Sequence, residues 1–148
     1  MSAKLLTQMV RFAISETRVD RAYAFDSEGM LVEHAVLDSR STAAPDISDY
    51  MHSLVRRALS TGQLVLSNNT FIDPSEAPST NTSIKNLRIF VVIPIRGIGA
   101  LFLDQPIGSG VVPRPTIDRM VAMCQRLADR EDPESLTDTD IKALYVGP

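Results

Sequence analysis

Few side chains in this chain could do covalent or acid–base chemistry. Among 148 residues there are one cysteine, Cys124, and two histidines, His34 and His52. Nucleophilic catalysis needs a nucleophile with a base in hydrogen-bond reach, and general acid–base catalysis needs a titratable group tuned near the working pH. No Ser–His–Asp or Cys–His set can be assembled from the spacings here. A single cysteine excludes an intrachain disulfide and any Cys-based zinc cluster. Cys124 falls on the apolar stripe Ile117, Met120, Val121, Leu127 and Ala128, where a buried structural thiol is the ordinary outcome. His52 stands between Met51 and Ser53 on the polar side of a helical pattern, and His34 lies in a strand-like run where a hydrogen-bonded imidazole is the ordinary outcome. Binding chemistry has more material. Tyr23, Phe25 and Phe90 could floor a pocket, although such residues more often serve as plain core. Asn68, Asn69 and Asn81 could orient a small polar ligand, although Asn is also a common turn former. Phe71 and Ile72, between them in sequence, suggest that this polar stretch folds back onto the core. The ligand-binding set expected from sequence is therefore Tyr23, Phe25, His34, Asn68, Phe71, Asn81 and Phe90, with no catalytic residue, no metal ligand and no cofactor assigned. Arg56 and Arg57 read as solvated surface.

Composition sets the frame for these residues. Charged residues at 22% and hydrophobic ones at 44% are ordinary globular values, and the length suits one domain. The net charge of −3 comes without a Lys/Arg run, so the footprint of a nucleic-acid-binding domain is missing. The first sixteen residues lack the apolar core of a signal peptide, and no run is long enough to span a bilayer. The expectation is a soluble cytoplasmic domain over residues 1–132, followed by an acidic tail, 133–148, with a short helix.

The element that must position everything else is residues 88–104, RIFVVIPIRGIGALFLD. Two apolar runs, 89–95 and 98–103, flank Arg96-Gly97 and read as a β-hairpin with a two-residue joint. Ile89, Val91, Ile93 and Ile95 point one way, and Phe90, Val92 and Pro94 the other. On the second arm Leu101 and Leu103 oppose Ile98, Ala100 and Phe102. Both faces are apolar, so each side of the sheet must be covered, which implies three layers. Pro94 has no N–H, so a bulge or a missing ladder bond is expected there.

Around that hairpin, residues 4–17 carry Leu5, Leu6, Met9, Val10 and Ala13 at helical spacing, with Phe12 and Ile14 widening the stripe. Residues 20–26 and 30–37 form a second hairpin through Gly29. A helix follows, opened by Asp46 as N-cap and closed by Gly62, with Tyr50, Met51, Leu54, Val55 and Ala58 on one face. A short strand covers 63–66. The polar, Pro/Ser/Asn-rich stretch 67–83 reads as a functional lid or a partly disordered loop. Thr116 is expected to cap a closing helix to about residue 129, and Thr137 a last turn with Ile141, Leu144 and Tyr145.

In this order the chain resembles a GAF domain, the small sensory module of phytochromes, cyclic-nucleotide phosphodiesterases and bacterial enhancer-binding regulators. The likeness rests on SLVRRALSTGQLVLSNN (53–69), VVIPIRGIGALFLDQ (91–105) and PTIDRMVAMCQRLA (115–128), and spans about residues 4–130. The resemblance implies an α+β fold with a central antiparallel sheet, first and last helices on one face, and the middle helix plus the long loop on the other, over a ligand pocket. It also implies tests of specific chemistry. Cyclic-nucleotide-binding members carry an Asn-Lys pair after the second hairpin strand, where this chain has Asp104-Gln105. Bilin-binding members use a pocket cysteine, and haem-binding members a histidine. The GAF-like methionine sulfoxide reductases use several cysteines. The expected function is a non-catalytic sensory or regulatory domain that binds an unidentified small molecule and signals to a partner or fused domain. The alternative is a ligand-free interaction scaffold. Dimerisation is expected through the first and closing helices, because Phe12, Ile14 and Met123 exceed what packing on one sheet requires.

Overall fold

The computed structural model describes residues 3–37, 49–67, 88–106 and 112–147. These form helix α1 (Ala3–Thr17), strands β1 (Arg21–Asp26) and β2 (Leu31–Val36), helix α2 (Asp49–Thr61), strands β3 (Val65–Ser67), β4 (Arg88–Ile95) and β5 (Gly99–Pro106), helix α3 (Arg114–Ala128), a 3-10 turn (Pro133–Ser135) and helix α4 (Asp138–Val146). The architecture is α+β, with one five-stranded antiparallel sheet in the order β2-β1-β5-β4-β3. No described helix is long and apolar enough to cross a membrane.

Strand alternation divides the interior in two. Ala22, Ala24, Val91, Ile93, Leu101 and Leu103 pack with α1, α3 and α4 in one cluster. Tyr23, Phe25, Phe90, Val92, Ala100 and Phe102 pack with Met51, Leu54, Val55 and Ala58 of α2 in the other. A central hairpin that is apolar on both sides thus has a helical layer over each side, as the two-faced pattern of residues 88–104 requires.

The β1–β2 turn follows its sequence. The carboxylate of Asp26 accepts hydrogen bonds from the backbone N–H groups of Glu28 (2.9 Å) and Met30 (3.0 Å). Gly29 takes a φ of +84° there.

The β4–β5 joint differs from expectation. Ile95 pairs with Gly99, so the loop is the three residues Arg96, Gly97 and Ile98, closed by Ile98 N–H to Ile95 C=O at 2.9 Å. Ile98 therefore sits outside the strand alternation and packs on the Leu101/Leu103 side rather than with Ala100 and Phe102. Pro94 faces Ala100 in unbroken register. On its other side β3 has already ended, with Val65 opposite Val92, so no strand there needs the missing N–H. The sheet's irregularity lies instead in β1, between Ala24 and Phe25.

Two other boundaries shift. The short strand runs Val65–Ser67, because Gly62 at φ +66° and residues 63–64 are spent on leaving α2. Helix α3 starts at Arg114 after Pro113, so Thr116 lies inside its first turn and does not cap it. Proline near the start of a helix is tolerated because the N–H it lacks would have had no intrahelical acceptor. The expected cap Asp46 lies outside the described residues.

Residues 133–147 are packed on the domain. Thr137 and Asp140 form a reciprocal capping box, which holds the Asp140 carboxyl below its ordinary range through hydrogen bonds from Thr137. Leu136, Ile141, Leu144 and Tyr145 then enter the cluster of α1 and α3. The Tyr145 ring meets Phe12 edge-on at 5.3 Å, and Arg126 Nη1 donates to the Leu144 carbonyl at 2.7 Å. Met123 is fully buried. Much of the apolar surplus that motivates a two-fold helical bundle is thus covered by α4 of the same chain.

Candidate functional site

Tyr23, Phe25 and Phe90 come together on the α2 side of the sheet, as alternation along β1 and β4 places them. Among the described residues they pack as part of a buried cluster. Each is at most 1% exposed, and Phe102 stands at their centre. Its ring centroid is 5.7 Å from Tyr23, 6.2 Å from Phe25 and 5.3 Å from Phe90. Offset and edge-on pairs at such distances are packed core contacts, contributing about 0.5–1.5 kcal/mol each beyond burial. Phe102 is the residue that sequence reasoning left out of this group, although its alternation with Ala100 pointed to it.

His34 pairs with Tyr23 across β1 and β2 and stacks on its ring at 6.4 Å. His52, on α2, meets the edge of Phe25 at 6.0 Å. Both imidazoles therefore rest on the rim of the aromatic cluster. Asn68, Phe71 and Asn81 lie outside the described residues. Where the polar stretch begins, Ser67 Oγ and the Tyr50 hydroxyl share a hydrogen bond of 2.7 Å, tying β3 to α2. Asp104 and Gln105 are both buried near the end of β5, with Asp104 opposite Phe90 and Arg21 in register. Among the described residues no group of three or more His, Cys, Asp or Glu side chains could hold a metal ion.

An open site exists elsewhere. At the end of the sheet, the β4–β5 turn and the C-terminal ends of α2 and α3 border a cleft of about 460 Å³, within the size range of small-molecule sites. Leu59 and Gly62 come from the end of α2, Gln125 and Asp129 from the end of α3, Ser27 from the β1–β2 turn, and Arg96 from the hairpin turn. Pro94, Ile95 and Ala128 supply apolar wall. Arg96 and Asp129 form an ion pair at 2.5 Å across the rim, both largely exposed. Cys124 also borders the cleft, but burial pushes its thiol up to about 12, so it stays protonated and unreactive at neutral pH. The Asp129 carboxylate, the one ionisable base among the described lining residues, is paired with Arg96.

Sequence reasoning missed this cleft. Sequence alone marks Arg96 and Gly97 as a turn and Asp129 as a helix end. The signal was the coincidence of two helix ends with one hairpin tip, which only the three-dimensional arrangement reveals. Comparison with protein-family models, curated proteins and solved structures finds no match.

Proposed function

We propose that the protein is a non-catalytic GAF-type sensory or regulatory module of the cytoplasm. In this reading it takes a small molecule in the cleft at the end of its sheet and passes the signal to a partner or fused domain. The carrying observation is the contrast between the two candidate places: the aromatic face is filled by its own rings, while the cleft is open and lacks a catalytic pair. The GAF assignment draws further support from α1 and α3 on one side of an antiparallel sheet and α2 on the other.

A thermal-shift screen of metabolites against the native chain and Gln125→Trp tests this function. Gln125 is exposed on α3, so the larger ring occupies the cleft without disturbing the core. Compounds that stabilise the native chain but not the variant support the reading, following the mass-action gain of a native-state ligand. Compounds that stabilise both equally place binding elsewhere.

The second reading is a ligand-free interaction scaffold, favoured by the closed packing of Tyr23, Phe25, Phe90 and Phe102. A screen with no stabilising compound supports it. Homodimerisation through the terminal helices belongs to both readings. Because Tyr145 of α4 packs on Phe12 and Met123 is buried within its own chain, the interface would form on the outer surfaces of α1, α3 and α4, and sedimentation of the intact chain tests it.

A further inference from the structure

We propose that α4 reads the occupancy of the cleft. The C-terminal end of α3 is a wall of the cleft on one side and the seat of α4 on the other, so a ligand in the cleft holds α4 down. The inference rests on the reading of the cleft as the ligand site and adds the element that senses it. Cys124, Gln125, Ala128 and Asp129 line the cleft. Between them in sequence, Arg126 donates to the Leu144 carbonyl of α4 at 2.7 Å. Leu127 is fully buried in the cluster that takes in Ile141, Leu144 and Tyr145. The hold on α4 is close, since a Cβ at Gly147 would lie 2.9 Å from Arg126 Nη1. On the cleft side, Arg96 of the hairpin turn ties down the same end of α3 through Asp129, its C-cap residue.

Coupling needs an element with two states that both sites bias, and α4 is built as one. It is nine residues long, too short to stay helical without its packing. Residues 129–132, which join it to α3, are all exposed. Its seam with α1 is incompletely packed. A gap of about 350 Å³ opens there beside Gln8, Phe12, Asp138 and Ile141, and Gln8 Oε1 is buried with no hydrogen-bond partner. An orphaned acceptor of this kind weakens docking, and a loosely held terminal element opens at lower free energy than the core. The sign of the coupling follows from α3. With α4 away, Arg126 loses its acceptor and Leu127 part of its cover, while the last carbonyls of a helix have no intrahelical partners to hold the turn. The cleft wall would then fray. A ligand touching Gln125, Ala128 and Asp129 gains more from the docked state, and by linkage its binding favours docking to the same degree. An empty cleft releases α4 more often, which uncovers the Phe12 ring that Tyr145 meets.

Hydrogen exchange of the full chain, read at the amides of residues 141–146, tests the coupling without a ligand. Gln125→Trp fills the cleft with a ring fixed to its wall. The α4 amides should then exchange about threefold more slowly, with those of Phe102 and Leu103 in β5 unchanged. Arg96→Ala works from the opposite direction, since it frees the end of α3 from the hairpin turn and acts on α3 through Asp129. The α4 amides should exchange about twofold faster, the size of effect an exposed ion pair carries, and Arg96→Lys should restore the native rate. An α4 rate that stays native in either variant overturns the inference. So does faster exchange in Gln125→Trp, or a change that β5 shares equally. Because no ligand is added, such a failure leaves the reading of the cleft as a ligand site to its own thermal-shift test.

Discussion

Gly99→Ala should cost this protein far more than Gly97→Ala, although the two glycines stand two residues apart in the same turn. At Gly97 φ is +76°, and a Cβ would meet nothing within 4 Å. The penalty there is the left-handed backbone alone, about 1 kcal/mol. At Gly99 a Cβ would lie 1.9 Å from the Phe25 carbonyl oxygen, 3.0 Å from its carbon and 3.1 Å from Asp26 Cα. These are backbone atoms of the neighbouring strand, so no side chain can swing aside. Strand β1 would have to part from β5 where Asp26 pairs with Gly99 and Phe25 with Ala100. Separating it would loosen the Phe25 ring from Phe102. Overpacking of this kind costs about 1–3 kcal/mol, and a lost pair of ladder bonds adds about 1 more. The sum is about 2–4 kcal/mol, or roughly 10 °C in melting temperature for a domain of this size, against about 3 °C for Gly97→Ala. Thermal denaturation followed by circular dichroism measures both. Equal losses, or a larger loss at Gly97, would refute the claim that the β1–β5 approach depends on Gly99.

Cys124 should resist alkylation in the native state at pH 8 and react once the chain is unfolded, so its modification rate reports opening of the core. Because burial raises its folded pKa from 9.0 to about 12, its contribution to stability is fully present below about pH 9 and is lost as pH rises toward 12. A melting temperature that Cys124→Ala leaves with the same decline over that range would remove the thiol as its cause. Tyr145→Ala should cost about 3 kcal/mol by emptying the seat of α4 and should uncover Phe12, so that the variant associates more strongly in sedimentation than the native chain. With Asp104-Gln105 in place of an Asn-Lys pair, calorimetry should find no binding of cGMP or cAMP at micromolar concentration, roughly −8 kcal/mol. Saturable binding would show that this chain binds cyclic nucleotides without an Asn-Lys pair.

The layered fold was legible because its signal is local and repeated. Residues 89–95 and 101–103 alternate between two apolar faces, and α1 and α2 carry buried residues at steps of three and four, as the sequence indicates. The hairpin tip was not legible. Whether Ile98 belongs to the turn or to the strand depends on Gly99, whose requirement comes from Phe25, some seventy residues earlier in the chain. The role of residues 133–147 was hidden for a similar reason. Three apolar residues in a short acidic segment look like a tail until Ile141, Leu144 and Tyr145 are seen against α1 and α3. For the site, sequence picked out aromatic residues and could not tell a pocket floor from a core, because that depends on whether a fourth ring, Phe102, fills the centre. The cleft draws on four separate segments, each unremarkable alone.

The proposal that a small molecule binds at the end of the sheet is tested most directly by locating a bound probe. Backbone amide shifts of the full chain, recorded with a compound that stabilises the native chain in the thermal-shift screen, should change at Arg96, Gly97, Gln125 and Asp129 and remain fixed at Phe25, Phe90 and Phe102. Changes centred on those three aromatic residues, or none at saturating probe, would contradict it.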